Sequence, residues 1–389
     1  MKRPISTIVL ALSAAASCAV QAEAPDWGMG RYLSKYPGMY STLSYYADER
    51  NSIFDQNGQK QNSVTPTFGA GNAFAEKRVQ LQLEWHFPFF ETEELPLISS
   101  RLWTARANLG YARLETTGSI NDFIRQNDQK DRGQGVSDIL LEFGPVLWGS
   151  HNWREKQNTP FSLILLSQFV VPVGERHPDS PNNVGTNVFG FGGRLGAYLR
   201  PFNGLLLDAG IATRSYANNE EPAFGGHEPT KRGDDVFIDG TLSLKLWRGL
   251  YAGASYWQRK GDPNIYQKVR FANNPPSAAT GMDTFPDPRA LGDGGTEDTR
   301  LGYRLSWFVT PRLNIGLSRV QPRSGKSGEF DLPYLQQTRN CTATMNCNPQ
   351  PNGSAHVDGL GSARVFASEY WLLTLNWSWK QGDFFLNGP

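Results

Sequence analysis

Apolar and polar residues alternate with a period of two through most of the chain, the pattern of strands with one greasy and one wet face. From Arg78 to Phe87, Val79, Leu81, Leu83, Trp85 and Phe87 take one face, and Arg78, Gln80, Gln82, Glu84 and His86 take the other. From Arg300 to Val309, Leu301, Tyr303, Leu305, Trp307 and Val309 oppose Arg300, Gly302, Arg304, Ser306 and Phe308. From Glu369 to Lys380, Trp371, Leu373, Leu375, Trp377 and Trp379 oppose Tyr370, Leu372, Thr374, Asn376, Ser378 and Lys380. The same test predicts twelve strands, near 39–47, 76–87, 101–114, 137–148, 160–171, 187–200, 204–217, 235–247, 249–260, 299–309, 311–322 and 366–380. Those at 39–47, 160–171 and 249–260 alternate less cleanly, which leaves their facing open. Several reach ~12 residues, enough to cross a hydrocarbon layer at a tilt.

The connections carry independent information. Pro201-Phe202-Asn203-Gly204, Trp247-Arg248-Gly249 and Thr310-Pro311 are tight turns, and 88–100 and 149–159 are moderately short. Long polar stretches at 48–75, 115–136, 172–186, 218–234, 261–298 and 323–365 lie between them. Long and short take turns along the whole chain, as in an up-and-down barrel with short periplasmic turns and long outer loops. The prolines of 261–298 (Pro263, Pro275, Pro276, Pro286 and Pro288) predict a segment without regular strand pairing.

A soluble barrel and a membrane barrel share this alternation and differ in which face looks outward. Trp85, Trp103, Trp148, Trp247, Trp307, Trp377 and Trp379 fall near strand ends, as interfacial girdles do. The polar faces carry Arg, Glu and Asp at mid-strand, where a dry core would charge several kcal/mol for each unpaired ion. Twelve strands also enclose more width than the roughly eight that side chains readily fill. The expected fold is therefore all-β, a transmembrane up-and-down antiparallel β-barrel over residues 23–380, with 381–389 as a tail. The terminal strand, Glu369 to Trp379, resembles the aromatic-ended signal read by barrel-assembly machinery.

Composition narrows the class. Of 389 residues, 12% are aromatic, 40 are Gly and only 19% are charged, which suits many short strands. The net charge of +1 comes with no basic stripe, so nucleic acid is not an expected partner. Lys2 and Arg3, the apolar stretch Ile5 to Ala16, and Val20-Gln21-Ala22 read as a signal peptide over 1–22. Lipidation at Cys18 is the alternative, although Ala15 stands where such sites usually carry Leu. No later run approaches the ~20 apolar residues of a membrane helix. Cys341 and Cys347, close together in a Pro/Asn/Gly-rich segment, are expected to form a disulfide in an oxidising compartment.

The middle of the chain carries a family resemblance. Gly133-Gln-Gly135-Val-Ser-Asp138-Ile-Leu-Leu-Glu-Phe-Gly144 is similar to the G-x-G-x-x-D strand opening of the outer-membrane proteins associated with the meta-cleavage pathway of phenol degradation. Val170-Val-Pro172-Val-Gly174 and Asn183-Val-Gly185-Thr-Asn187-Val-Phe-Gly-Phe also resemble that family. The likeness is good over about 130–216 and general elsewhere. It implies a transporter barrel for aromatic or other hydrophobic compounds and supplies no catalytic residues.

With apolar faces toward lipid, the opposite faces line a lumen. They present Arg78, Arg106, Arg194, Arg214, Arg300, Arg304, Arg312, Lys245 and Lys380, against Glu84, Asp138, Glu142, Asp208 and Asp239. Charge rings set ion preference, and the arginine excess points to mild anion preference; equally, these residues can pair across the lumen and plug it. Gly190, Gly192 and Gly196 face inward and would leave open space. The expected partners are outer-membrane lipid, the assembly machinery and a small-molecule solute, with no cofactor or metal. The competing classes are a non-conducting structural or adhesion barrel working through its outer loops, and a barrel hydrolase. For the latter, His86 sits near a periplasmic strand end, His151, His177, His227 and His356 lie in connections, and no G-x-S-x-G occurs. His177 with Asp179, and His227 with Glu228, read as ordinary polar loop residues.

Overall fold

The computed structural model describes residues 31–32, 37–55, 57–62, 73–88, 102–118, 132–149, 160–176, 184–202, 204–219, 230–262, 265–266, 291–292, 295–327, 331–332, 347–349, 355–357 and 365–379. The wall consists of twelve strands: β1 (Gly38–Arg50), β2 (Ala73–Pro88), β3 (Leu102–Thr117), β4 in two pieces (Arg132–Val136 and Ile139–Trp148), β5 (Phe161–Val171), β6 (Gly190–Phe202), β7 (Leu205–Tyr216), β8 (Asp235–Trp247), β9 (Leu250–Gly261), β10 (Thr296–Thr310), β11 (Leu313–Lys326) and β12 (Tyr370–Ser378). Each strand pairs antiparallel with its sequence neighbours. β1 closes the ring on β12, with Leu43 opposite Leu375 and Tyr45 opposite Leu373. Closure leaves no free edge, the condition for a sheet in lipid, where water cannot satisfy unpaired backbone groups.

The alternation is inside out relative to a soluble barrel. Along β2, Val79, Leu83 and Trp85 are exposed, whereas Arg78, Glu84 and His86 are buried. The same holds along β10, where Tyr303, Leu305 and Trp307 face outward and Arg300, Arg304 and Ser306 inward. The less clean strands resolve the same way: β5 buries Ser162, Ile164, Leu166, Gln168 and Val170 and exposes Leu165 and Phe169. Outward-facing Trp85, Trp148, Trp247, Trp307, Trp377 and Trp379 gather at the short-turn end, forming one aromatic girdle at a membrane boundary. Trp103 at that end packs against Phe143 in a tilted arrangement, their ring centroids 4.9 Å apart.

Three features differ from expectation. The strand expected at 137–148 starts at Ile139, and across a break at Ser137-Asp138 the wall continues upstream as Arg132–Val136. The stretch 261–298 does contain pairing: Ile265–Tyr266 joins Thr230–Lys231 and Leu291–Gly292 in a small four-stranded sheet at the long-loop end. Those pairs avoid the five prolines, all of which lie outside the described residues. Finally, Asp331–Leu332, Cys347–Pro349 and Ala355–Val357 form a further small sheet within 323–365. The expected signal peptide, Cys18, Cys341 of the expected disulfide and the 381–389 tail lie outside the described residues.

Candidate functional site

The inward faces stack in layers from the short-turn end outward. Leu102, Val146, Ile164, Leu166, Tyr198, Leu206, Tyr251 and Phe308, each from an inward position near that end, form a buried apolar cluster with Tyr32. Above it lies an ionic belt. Glu84 accepts from Arg106 Nε at 2.9 Å, and its Oε1 lies 2.8 Å from His86 Nε2. Thr104 Oγ1 sits 3.1 Å from the other ring nitrogen of His86, so both nitrogens are occupied. Glu142 lies between Arg194 at 3.2 Å and Arg106 at 3.5 Å, and accepts from Gln168. Arg194 Nη1 reaches Asp239 at 2.7 Å, and Arg214 Nε donates to Gln168 Oε1 at 3.1 Å. At such burial, Glu84, Glu142 and Asp239 each keep a cationic partner that offsets their desolvation.

A second set lies toward the long-loop end. Arg50 bridges Asp48 and Glu76, Arg78 pairs with Glu76 at 2.8 Å, and the Tyr46 hydroxyl donates to Glu76 at 2.7 Å. Arg300 contacts Asp298 at 3.0 Å and donates to the Phe366 carbonyl at 3.1 Å. Asp235 accepts from Arg259 at 2.9 Å and from the Tyr216 hydroxyl at 2.8 Å. Between the ionic sets, Tyr46, Ala212, Phe237, Trp257, Val320, Tyr370 and Leu372 make an apolar, largely aromatic layer. The Arg214 guanidinium lies over the Phe237 ring at 4.7 Å.

Of the residues expected in the lumen, Arg78, Glu84, Arg106, Glu142, Arg194, Asp208, Arg214, Asp239, Arg300 and Arg304 turn to the buried side and belong to this layered interior. Arg304 donates to Thr374 Oγ1 at 2.9 Å. Lys245 keeps the inward phase of β8 near the short-turn end and is half-buried. Three do not fit. Asp138 sits in the break of β4, where its carboxylate accepts from Gly174 N at 2.9 Å and Thr186 N at 2.8 Å, and from the Thr186 hydroxyl. It pins three chain segments together and does not stand free as a lumen charge. Arg312 lies exposed in the β10–β11 turn. Lys380 lies outside the described residues.

The family-like motif thus has a structural meaning. Asp138 joins the end of β5 to the approach of β6, and Glu175 N donates to the Val136 carbonyl at 2.8 Å. Gly174 and Gly185 pass so closely that a Cβ on either would meet the other's backbone.

The feature unforeseen from sequence is Arg31-Tyr32, which precedes the first wall strand and lies inside the barrel. Tyr32 is 0% exposed. Its hydroxyl donates to Asp239 at 2.8–2.9 Å and accepts from Arg194 Nη1 at 2.7 Å. Its backbone N–H donates to Asp208 at 3.2 Å, and its carbonyl accepts from Ser162 Oγ at 2.6 Å. Arg106 Nη2 donates to the Arg31 carbonyl at 2.6 Å. Burial pushes the phenol's pKa up, so it stays protonated. Gly196 and Gly210 face each other in register across β6 and β7, and a Cβ on either would collide with the Tyr32 ring. The space expected at Gly196 is therefore filled. Two inward glycines in register were the available signal, since such a hole has to be occupied by something.

A closed barrel with an apolar exterior, an aromatic girdle and an ionic interior defines an outer-membrane β-barrel protein, located in that membrane. Residues 54–275 match the model of the family described as "Putative MetA-pathway of phenol degradation", and the chain belongs to that family. Among solved structures, an outer-membrane channel of Pseudomonas putida superposes with TM-score 0.57 at 11% identity, covering 90% of this chain and 99% of that one. The KdgM porin in complex with oligogalacturonate gives a TM-score of 0.36 at 6% identity, over 87% of this chain and 99% of that one. No curated protein matches. Among the described residues, no group of three or more His, Cys, Asp or Glu is placed to hold a metal ion.

Proposed function

We propose that the protein is an outer-membrane channel for small solutes, aromatic or otherwise hydrophobic compounds among them. The observation that carries this is the inverted sheet, which spends its apolar residues on lipid and reserves the interior for arginines, carboxylates and aromatic rings. Family membership and the likeness to a channel barrel support the same reading. The excess of arginine over carboxylate among the inward positions read from the sequence makes a mild preference for anions the selectivity we expect. Reconstitution in planar bilayers is the test. Discrete current steps, with a salt-gradient reversal potential on the anion side, are expected. Cation selectivity overturns the anion preference, and a silent bilayer together with no liposome swelling for sugars, acids or phenols overturns the channel.

A further inference from the structure

Tyr32 enters the lumen from outside the wall, and its surroundings are built around it. The ring belongs to the apolar cluster of Ile164, Leu206 and their neighbours. Its face lies against glycines whose missing side chains leave a slot of ring thickness. The hydroxyl ends on an Asp239–Arg194 pair that gives a phenol both things it can use, an acceptor for its proton and a donor for its lone pair. The hydrogen-bond partners of Tyr32, namely Ser162, Arg194, Asp208 and Asp239, belong to β5, β6, β7 and β8. The slot is lined by residues of the wall, with Gly196 and Gly210 set in register by the β6–β7 ladder.

We propose that this slot is a binding site for a neutral phenol, and that Tyr32 occupies it as a tethered stand-in which the solute displaces. The inference deepens the channel reading and rests on it for its physiological purpose, though not for the binding itself. A free phenol makes the same two hydrogen bonds and fills the same apolar slot. An aromatic hydrocarbon of equal size fills the slot but leaves buried polar groups without the hydroxyl they hold, a loss that discriminates strongly in dry sites. Displacement also releases the Tyr32 main chain from Asp208 and Ser162, which would carry Arg31-Tyr32 away from the interior. Solute binding and unplugging are then one event. Because the tethered ring competes, the wild type binds the free phenol more weakly than a barrel without it.

The test uses the purified, folded full chain in detergent, with 4-methylphenol and toluene as probes and calorimetric titration as the readout. Tyr32→Ala is expected to bind 4-methylphenol at one site at least about tenfold more tightly than the wild type, with toluene gaining far less. Adding Asp239→Asn to Tyr32→Ala should weaken 4-methylphenol and leave toluene unaffected. Adding Gly196→Leu should abolish both by filling the slot. If Tyr32→Ala binds 4-methylphenol no better than the wild type, or gains toluene equally, the site is not a phenol site and the proposal fails. Should Tyr32→Ala not fold, Tyr32→Phe serves instead. It keeps the ring but surrenders the contested hydrogen bonds, and an affinity for 4-methylphenol no higher than wild type also overturns the proposal. Bilayer currents of the same proteins separate the two readings: binding without current removes the channel and keeps the site, whereas current without binding does the reverse.

Discussion

Arg194 shows how much a single inward residue is asked to do. It is 2% exposed and contacts Glu142, Asp239 and the Tyr32 hydroxyl. Removing one member of such a set leaves buried opposite charge uncompensated. Arg194→Met is therefore expected to destabilise the barrel by ~3–5 kcal/mol, measured as a lower midpoint in urea unfolding from lipid vesicles. A midpoint within error of wild type would mean the ions are wet and poorly coupled. Asp138 makes a different case. Its carboxylate holds Gly174 N and Thr186 by three hydrogen bonds, and Asp138→Ala should cost about 2–4 kcal/mol by leaving buried amides unsatisfied. The same variant should alter the heat-dependent gel mobility at lower temperature than wild type does, while Asp138→Asn, which keeps one acceptor, should recover part of the loss.

The elements obey the bilayer more than they obey propensity. On β10, Leu305 faces outward at mid-strand between the exposed Tyr303 and Trp307. Leu305→Arg should cost ~2–4 kcal/mol at that depth, in the same vesicle unfolding assay, whereas Leu305→Phe should be close to neutral; an equally mild effect of both would contradict a lipid-facing β10. Strand identity and count could be read from alternation, and phase on every strand but those at 39–47, 160–171 and 249–260, because lipid outside and ions inside impose opposite demands at successive positions. Strand ends could not. β1 and β11 continue beyond the predicted 47 and 322 to Arg50 and Lys326, since above the membrane a strand needs only its ladder and no longer an apolar face. The break of β4 was hidden for a related reason. Asp138 has the parity of an inward charge, and only the approach of Gly174 and Gly185 turns it into a clasp.

For the whole molecule, the decisive arrangement is a ring of twelve strands with Arg31-Tyr32 inside it. Among the described residues no wall strand precedes Gly38, so a mature chain beginning at 38 should still close its barrel and show heat-modifiable mobility. It should also conduct more than the full chain in planar bilayers, since Arg31 and Tyr32 no longer occupy the interior; equal conductance would show that the constriction lies elsewhere, the aromatic layer of Phe237 and Trp257 being the next candidate. What the amino-acid order determines unaided is local and periodic: which residues meet lipid, which avoid it, how many times the chain crosses, and where its turns fall. Each of these follows from a demand that acts on neighbouring residues and so leaves a trace at fixed spacing. That Tyr32 fills the hole left by Gly196 and Gly210, and ends on Arg194 and Asp239, depends on groups 162–207 positions apart. Such partners become neighbours only when the sheet curls shut, and closure, a property of the ring and of no single strand, has no period to leave behind.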